Sequence, residues 1–513
     1  MDQQVIRAKV EVGAYGNIVR AAMPIQAGET IFYLSGDIVS VPTKYTIQLD
    51  AQRHVLNEDS DWDLMNHACE PNVRIDVQSR EMVAVRDIEP GEELNFNYNT
   101  TEWSMTSPFA CGCGSPKCAG EIRGFRFLTD QQRRDIAPYI SPYIAQRWSD
   151  EIKAGKSSVA SIDIRQLRPE VHVLAPYEIV NGKSVSPEYE APEFRQEIDG
   201  WLKPLGLSWV WHETTLQNVP QVVAAIAASA AHGPVVAFNL CDGSEIDGYP
   251  GLSVVEALYA ANIPFSGASA EFYESTTSKL KTKELLFATG VNTPAWSVVG
   301  PDGEVELPAE KYPVIVKPDI SAGSYGIEVD SVCDSPAAVA RKMAALRADP
   351  KFATTTFFAE QFVRGREFTA LLVEALDEPL GLWVLPPCER VFDQRLPEKE
   401  RFLVYDRYWE LPDTKMPLPQ GEKFYWYALA SEDLQKRISD VARRAMRGVG
   451  GAGYARVDFR LDERTGELFV LEVNAQCGLS VLDSTTVGSM LKLSGTPMET
   501  LVTRILQHAL TRH

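Results

Sequence analysis

The chain has 513 residues, long enough for about two to four domains that each bury a core of their own. Its composition, 45% hydrophobic and 23% charged, is that of a globular protein, and its formal net charge is −20. So acidic a chain is a poor binder of phosphate backbones, and it contains no apolar run of signal-peptide or membrane-spanning length. We therefore expect a cytoplasmic protein with no nucleic-acid or membrane partner.

Hydrophobic periodicity and turn residues divide the chain into four regions. Residues 1–128 predict a β-rich module of short strands broken by Gly, Pro and Asp turns. Residues 129–165 are polar and helical, which is typical of a connector. Residues 166–275 alternate strands and helices and predict an α/β domain. Residues 276–513 predict an α+β domain that ends in an antiparallel pair, YARVDFRL and ELFVLEVN, around the turn DERTG.

Three of the eight cysteines lie close together in the segment 107–125, SPFACGCGSPKCAGEIRGF. Cys111, Cys113 and Cys118 supply three soft ligands, whereas a tetrahedral structural zinc site needs four. One tight cluster in a large chain with few other cysteines favours a metal over disulfides. The alternative is a reactive or buried thiol cluster.

The segments NHACEPN, GEELNFNY and CGCGSPKC follow one another in an order that resembles SET-domain methyltransferases with a post-SET zinc site. The resemblance implies that Cys69 is the fourth zinc ligand. It implies that S-adenosylmethionine contacts the backbone around Gly13, in GAYGNIVRAAMPIQAGETI, and is held by Asn66 and His67. It also implies that Tyr98 lies near the methyl-transfer channel, where it orients the acceptor amine and stabilises charge.

Two alternatives for this module stay open. Tyr98 could be an ordinary tyrosine at a strand end. The module could also bind its cofactor as a scaffold that serves another purpose.

The segment 453–480, GYARVDFRLDERTGELFVLEVNAQCGLS, predicts a second site. Because side chains alternate along a strand, Arg456 and Asp458 share one face, as do Glu472 and Asn474. A short turn then brings Asp458 opposite or diagonal to Glu472. Three oxygen ligands with an arginine beside them suit Mg²⁺ that bridges nucleotide phosphates. The alternative is a salt-bridge cluster around Arg456.

Features upstream of this hairpin add a nucleotide site. Lys317 ends the strand YPVIVKP, and the following loop DISAGSYGI, which contains Ser324, can wrap phosphates with backbone N–H groups. Glu360 precedes a glycine turn in AEQFVRGREFTALLV, and Glu367 follows that turn. The order of these elements looks like an ATP-grasp ligase, and residues 230–480 are most similar to the D-alanine–D-alanine ligase family.

The resemblance implies a role for each residue of the nucleotide site. Lys279 and Lys317 would contact the ATP phosphates, with Ser324 in the loop that wraps them. Glu360 would lie at the adenine hinge and Glu367 on the ribose. A further cofactor contact, Arg407, would lie on a mobile loop that closes over phosphate.

The same resemblance implies how the reaction proceeds. Asp458, Glu472 and Asn474 would hold Mg²⁺, while Arg456 and the backbone N–H of Gly478 stabilise the tetrahedral intermediate. ATP would convert a carboxylate into an acyl phosphate, which an amine then attacks.

The substrate half of the ligase region departs from that family. The first strand, VHVLAPYEIV, lacks the glycine-rich Ser-x-Glu stretch that recognises the first D-alanine. Ser278 replaces the usual aspartate before Lys279, and Cys477 replaces the usual proline before Gly478. We therefore expect carboxylate–amine ligation with a substrate other than D-alanine.

The sequence thus predicts an ATP-dependent ligase that forms amino-acid amides or dipeptides, fused to a SET module that N-methylates a substrate with S-adenosylmethionine. The expected cofactors are ATP, Mg²⁺ and structural Zn²⁺ together with S-adenosylmethionine. The expected partners are small amino-acid-like molecules, and a homodimer stays open. The main alternative is a protein-lysine N-methyltransferase with an accessory ATP-grasp domain, and a third is a non-catalytic binding protein.

Overall fold

A computed structural model describes most of the chain, namely residues 7–13, 16–57, 61–153, 163–186, 189, 191–300, 302–321, 323–349, 352, 355–375, 378, 381–408, 417–419, 421–482 and 485–511. Residues 1–160 form one compact unit together with the short segments 287–290 and 375–382. The remaining residues form the second compact unit. We call them the N-terminal unit and the C-terminal unit.

The N-terminal unit is built from short strands, as its turn-rich sequence predicts. They form the hairpins β1-β2 and β11-β12, a parallel pair β7-β10, and two antiparallel sheets with the orders β3-β9-β8 and β4-β6-β5. Val19, Val55 and Met82 are fully buried in their common core. The strands are β1 (Ala8–Gly13), β2 (Gly16–Ala21), β3 (Thr30–Tyr33), β4 (Asp37–Val39), β5 (Thr46–Gln48), β6 (His54–Leu56), β7 (Asn66–His67), β8 (Val73–Asp76), β9 (Glu81–Ala84), β10 (Asn95–Phe96), β11 (Phe109–Ala110) and β12 (Glu121–Ile122).

The predicted connector contains the helices α1 (Asp130–Ile136), α2 (Pro142–Lys153) and α3 (Ile164–Leu167). Thr129 begins α1 with a capping box, because its hydroxyl accepts from the N–H of Gln132 while the Gln132 side chain accepts from the N–H of Thr129. Trp148 of α2 packs with Trp103 and Phe125, so this region shares a core with the end of the strand-rich module. Residues 154–162 of the predicted connector lie outside the described residues.

The C-terminal unit begins with a parallel sheet in the order β16-β13-β17. The sequence predicted β13, α4, β17 and α6 but not the hairpin β14-β15, the edge strand β16 or the helix α5. Strand β17 is buried along its whole length, which fits its continuous apolar run. The elements are β13 (Glu170–Pro176), β14 (Glu178–Val180), β15 (Lys183–Val185), α4 (Pro192–Leu202), β16 (Trp209–Thr214), α5 (Val219–Ala230), β17 (Val235–Asn239) and α6 (Leu252–Ala260).

Two further sheets follow. One is four-stranded with the order β18-β21-β19-β20, and the other is six-stranded with the order β25-β24-β22-β26-β27 and β23 paired to β22. The strands are β18 (Trp296–Val298), β19 (Val314–Pro318), β20 (Val332–Cys333), β21 (Phe357–Gln361), β22 (Gly365–Glu374), β23 (Leu382–Val384), β24 (Cys388–Phe392), β25 (Tyr425–Leu429), β26 (Tyr454–Asp462) and β27 (Leu468–Ala475).

Helices flank these sheets and close the chain. The sequence prediction named α9 but not the two helices after the hairpin, α12 and α13. None of the helices in the described ranges is long and apolar enough to cross a membrane. The helices are α7 (Ala270–Thr277), α8 (Lys279–Ala288), α9 (Pro336–Ala348), α10 (Tyr405–Tyr408), α11 (Glu432–Gly448), α12 (Thr486–Ser494) and α13 (Met498–Thr511).

Candidate functional site

The hairpin β26–β27 brings the predicted metal ligands together on one face of the six-stranded sheet. Asp458 lies directly opposite Glu472, and Arg456 lies opposite Asn474. The Arg456 guanidinium is 3.0 Å from Oδ2 of Asp458, and the Asn474 amide donates to the same oxygen over 3.1 Å. On the other side of β26, Thr369 of β22 is paired with Asp458. The hairpin therefore presents two carboxylates and an amide at one place.

Charges around Asp458 keep its carboxylate ionised. Burial alone would raise the pKa of Asp458, but the Arg456 and Arg390 guanidinium groups hold it below its usual value. Burial would likewise lower the pKa of Arg456, and Asp458 raises it. Carboxylate and amide oxygens are the ligands that Mg²⁺ prefers, so the side chains present here fit a magnesium ion.

A buried ion cluster surrounds Glu360 on β21. Its side chain is 1% exposed, and one carboxylate oxygen is 2.6 Å from Nζ of Lys317 on the neighbouring strand β19. The other oxygen pairs with Lys283, whose ammonium group also donates to the Thr293 hydroxyl over 2.8 Å. Although burial raises the pKa of Glu360, the two ammonium groups hold it below its usual value. Glu360 is therefore a fixed anion between two lysines.

Lys283 is a site residue that the sequence reasoning missed. It lies four residues after Lys279 on α8, and residues with that spacing share one helix face. The segment SKLKTKELL contains this spacing, so the pattern was available as a signal.

The first turn of α8 explains the departure at Ser278. The Ser278 hydroxyl donates to Asp319 over 2.8 Å, and the Asp319 carboxylate also accepts from the N–H of Leu280 over 2.9 Å. Lys279 donates to the backbone oxygen of Ser321 over 2.6 Å. Asp319, just after Lys317, thus supplies at this helix start the carboxylate that position 278 lacks.

The remaining predicted nucleotide residues are spread over several elements. Ser324 adopts a positive φ of 64° in the loop after Lys317, a loop of which residue 322 lies outside the described residues. Glu367 lies on β22, in a different sheet from Glu360. The buried guanidinium of Arg407, on α10, pairs with Glu400 over 2.5 Å. Gly478 is exposed after β27, and residues 409–416, which follow Arg407, lie outside the described part of the chain.

In the N-terminal unit, four thiols form the predicted cluster. The sulfur atoms of Cys69, Cys111, Cys113 and Cys118 all lie within 4.8 Å of one another, and those of Cys69 and Cys111 are 4.0 Å apart. A tetrahedral zinc–thiolate site has Zn–S bonds of about 2.3 Å, which separates its sulfurs by about 3.8 Å. The donor set and its spacing therefore fit a zinc ion.

The predicted cofactor residues Asn66 and His67 lie beside Tyr98, the residue predicted at the methyl-transfer channel. Asn66 donates to the backbone oxygen of Asn17 over 3.1 Å, and Nδ1 of His67 accepts from the N–H of Tyr98. Burial lowers the pKa of His67 to about 4, so its imidazole is neutral. The ring centroids of His67 and Tyr98 are 5.3 Å apart, and the Tyr98 hydroxyl donates to Met65. Gly13 ends β1, and residues 14 and 15 of that turn lie outside the described residues.

A small pocket opens beside Tyr98 and contains an acidic group that the sequence reasoning missed. Its aromatic wall includes Trp62 and Phe96, and Glu102 lies in the same wall. One Glu102 oxygen accepts from the N–H of Gln48 over 2.9 Å, and burial raises the pKa of Glu102 to about 7. A carboxyl among aromatic rings can attract a cationic amine. These side chains suit an amine-accepting pocket.

Comparisons with known families match both units. A family model described as the D-ala D-ala ligase C-terminus matches residues 285–507, and one described as the SET domain matches residues 16–99. The D-alanine–D-alanine ligase of Chromohalobacter salexigens is 30% identical over 262 residues, which cover 51% of this chain and 73% of that ligase. The D-alanine–D-alanine ligase of Marinobacter nauticus is 30% identical over 253 residues, or 49% of this chain and 68% of that protein.

Among solved structures, the D-alanine–D-alanine ligase of Bacillus anthracis in complex with ATP is 16% identical with a TM-score of 0.46. The similarity covers 67% of this chain and 98% of that one.

The raised pKa of Glu102 predicts a pH-dependent stability difference. Between its usual value of 4.5 and its folded value of about 7, the unfolded chain ionises while the folded chain keeps the proton. Wild type therefore loses stability relative to Glu102→Gln as the pH rises through this window. Thermal unfolding should give equal melting temperatures at about pH 4 and a higher one for the variant at about pH 8.

The matched control is Glu121→Gln, which alters an exposed glutamate of the same unit. It should follow wild type at both pH values. A Glu102→Gln difference that is the same at both pH values would contradict the raised pKa.

Proposed function

The chain belongs to the D-alanine–D-alanine ligase family, and from that membership we propose that it is an ATP-dependent ligase that joins a carboxylate to an amine. The observation that carries the proposal is the direct pairing of Asp458 with Glu472, with Arg456 and Asn474 paired two residues further along the same hairpin. The buried cluster of Lys283, Lys317 and Glu360 supports a nucleotide site in the same unit. Such a ligase would act in the cytoplasm.

In this proposal, one group of side chains in the C-terminal unit binds the metal, a second binds the phosphates, and a third stabilises the charge that develops during the reaction. Asp458, Glu472 and Asn474 would hold Mg²⁺, which neutralises phosphate charge when it is bound with ATP. Lys279 and Lys317 would neutralise the remaining phosphate charge, with Ser324, Glu360, Glu367 and Arg407 as the other nucleotide contacts. Arg456 and the N–H of Gly478 would stabilise negative charge on the carbonyl under attack. ATP supplies the activation of the carboxylate.

We propose that the substrates are amino-acid-like molecules other than D-alanine. Support comes from the first strand of the C-terminal unit, where β13 leads into the hairpin β14-β15 in place of a glycine-rich loop. Glu178 of that hairpin accepts from the Tyr249 hydroxyl over 2.9 Å, so other side chains occupy this part of the unit.

The ligase proposal predicts that Asp458→Asn and Glu472→Gln abolish ADP release. Each change removes a charged ligand and keeps the side-chain shape, so the loss should exceed about 100-fold while the fold is kept. The measurement is ADP release with pools of amino acids, with mass spectrometry of the dehydrated product. Glu467→Gln, an exposed change in the turn of the same hairpin, is the control. ADP release that survives both ligand changes would refute the metal assignment.

For the N-terminal unit we propose methyl transfer to an amine that enters the pocket beside Tyr98. Support comes from the SET-domain match over residues 16–99 and from the pocket that combines Tyr98 with Glu102. Gly13, Asn66 and His67 would hold S-adenosylmethionine, which supplies the methyl group. Tyr98 would orient the acceptor amine. A protein lysine is the second candidate acceptor, because its side chain carries the same primary amine.

The zinc assignment predicts that the purified chain carries about one zinc ion and that Cys113→Ser removes it. The variant should also melt at a lower temperature, because the metal ties Cys69 to the segment 111–118. Elemental analysis and thermal unfolding measure both effects. Cys333→Ala, which removes a thiol of the other unit, should keep the zinc. A metal-free wild type of unchanged stability would overturn the assignment.

The cofactor assignment predicts that Asn66→Ala weakens S-adenosylmethionine binding by about tenfold, because a hydrogen bond to a charged group is lost. Calorimetry measures the affinity directly, without any methyl acceptor. Gln52→Ala, at an exposed position, is the control. Equal affinities of wild type and Asn66→Ala would exclude Asn66, and a wild type that binds no S-adenosylmethionine would exclude the cofactor.

A further inference from the structure

Two arginines hold Glu367, and neither was singled out by the sequence. Arg390 pairs with one carboxylate oxygen of Glu367, and Arg460 donates to the other over 3.0 and 3.2 Å. Glu367 and Arg390 are each 5% exposed, and Arg460 is 3% exposed. Buried charges of this kind are stable only when they are paired with good geometry. Both oxygens of Glu367 therefore have fixed positions.

The three charges belong to one row that crosses four strands in register. Tyr427 on β25 is paired with Arg390 on β24, Arg390 with Glu367 on β22, and Glu367 with Arg460 on β26. The Tyr427 hydroxyl accepts from Arg390 over 2.9 Å and is 2.8 Å from the Thr486 hydroxyl. The Tyr427 end of the row is thus anchored to α12 through Thr486.

Arg460 also makes contacts beyond Glu367. It donates to the backbone oxygens of Val363, over 3.0 Å, and of Arg401. Val363 lies just before the glycine turn that leads into Glu367, so the same guanidinium fixes both the carboxylate and the turn that presents it.

This row lies next to the proposed magnesium ligands. Thr369 is two residues beyond Glu367 on β22 and is paired with Asp458, which is paired with Glu472. Two residues along a strand span about 7 Å and return to the same face. Glu367 therefore lies about 7 Å along β22 from Thr369, the strand neighbour of the proposed magnesium ligand Asp458.

A carboxylate held in this way still has acceptor capacity. The carboxylate has about four lone-pair positions: Arg390 uses one on Oε1 and two N–H groups of Arg460 share Oε2, so Oε1 keeps an acceptor position. A fixed, charged acceptor of this kind matches a hydroxyl donor, such as a hydroxyl of a ribose diol. Hydrogen bonds to a charged acceptor are stronger than neutral ones, and fixed geometry lowers the entropic cost of forming them.

Resting on the nucleotide-dependent ligation proposed above, we propose that Arg390 and Arg460 are positioning residues that orient Glu367 toward the ribose hydroxyls. They thereby make the ligase selective for ribonucleotides. Neither arginine contacts the reacting atoms. Their effect is on the affinity for the sugar.

The same strands carry a matched control on their opposite face. Arg366 precedes Glu367 and points the other way, and it pairs with Glu389 over 2.9 Å. Arg366→Met therefore removes an arginine–glutamate pair from the same two strands without touching Glu367.

The test is calorimetry of Mg-ATP and Mg-2′,3′-dideoxy-ATP binding to the full chain. Wild type should bind ATP at least about tenfold more tightly than dideoxy-ATP, because the ribose hydroxyls make charge-assisted hydrogen bonds. The quantity compared between variants is this ratio of the ATP affinity to the dideoxy-ATP affinity. Arg460→Met should bring this ratio close to unity and leave dideoxy-ATP affinity little changed. Arg366→Met should keep the wild-type ratio. A purely structural pair would alter the melting temperature and leave the ratio unchanged.

Each outcome decides the proposal. An Arg460→Met ratio equal to that of wild type, or a wild type that does not discriminate between the nucleotides, would overturn the positioning role and leave the ligase intact. A wild type that binds no ATP would overturn both. If Arg460→Met does not fold, Arg460→Lys keeps the charge but loses the fork geometry, and it should reduce the ratio. An unchanged ratio there would also overturn the proposal.

Discussion

The register of one hairpin, β26–β27, is the constraint on which the ligase site depends. It sets Asp458 opposite Glu472, and a slip of one residue would turn one of these carboxylates to the other face of the sheet. The turn fixes that register locally, because Gly466 takes a φ of 73° and donates to the backbone oxygen of Asp462 over 2.7 Å. A few turn residues therefore determine where a magnesium ion can bind.

Two opposing carboxylates would repel each other on a buried face without compensating charge. The C-terminal unit places cations on both sides of them. Arg456 lies two residues before Asp458 on β26 and Arg460 two residues after it, so the acidic pair lies between two arginine-containing rows. Lys317 and Lys283 hold Glu360 in the four-stranded sheet. Most of these charges are paired before a nucleotide arrives, so little reorganisation is needed on binding.

Local patterns in the sequence predicted the features that depend on neighbouring residues. Strand alternation and a five-residue turn were sufficient to predict the pairing of Asp458 with Glu472. The spacing of Cys111, Cys113 and Cys118 predicted three thiols in one cluster, and Cys69 was added by the resemblance to SET-domain methyltransferases. The family matches confirm the SET domain and the ligase, while the roles of the individual site residues stay predictions.

The sequence did not predict contacts between residues that lie far apart along the chain. Arg460 and Glu367 are 93 residues apart, and nothing in FRLDE marks the arginine as a partner of an earlier glutamate. Glu102 shows its raised pKa only once the pocket is assembled. The serine at 278 was predicted as a departure, and only the fold reveals that Asp319 supplies the carboxylate. Such contacts follow from tertiary packing, which overrides local preference.

The central claim is that Asp458, Glu472 and Asn474 coordinate one divalent ion, which binds the phosphates of a nucleotide. The most direct measurement is a crystal structure of the chain with Mn²⁺ and a non-hydrolysable ATP analogue, with the metal located by anomalous scattering. We expect a manganese peak within about 2.3 Å of oxygen atoms from all three side chains, next to the analogue's phosphates. A manganese ion bound elsewhere, or a bound analogue whose phosphates have no metal between them and these three side chains, would contradict the claim.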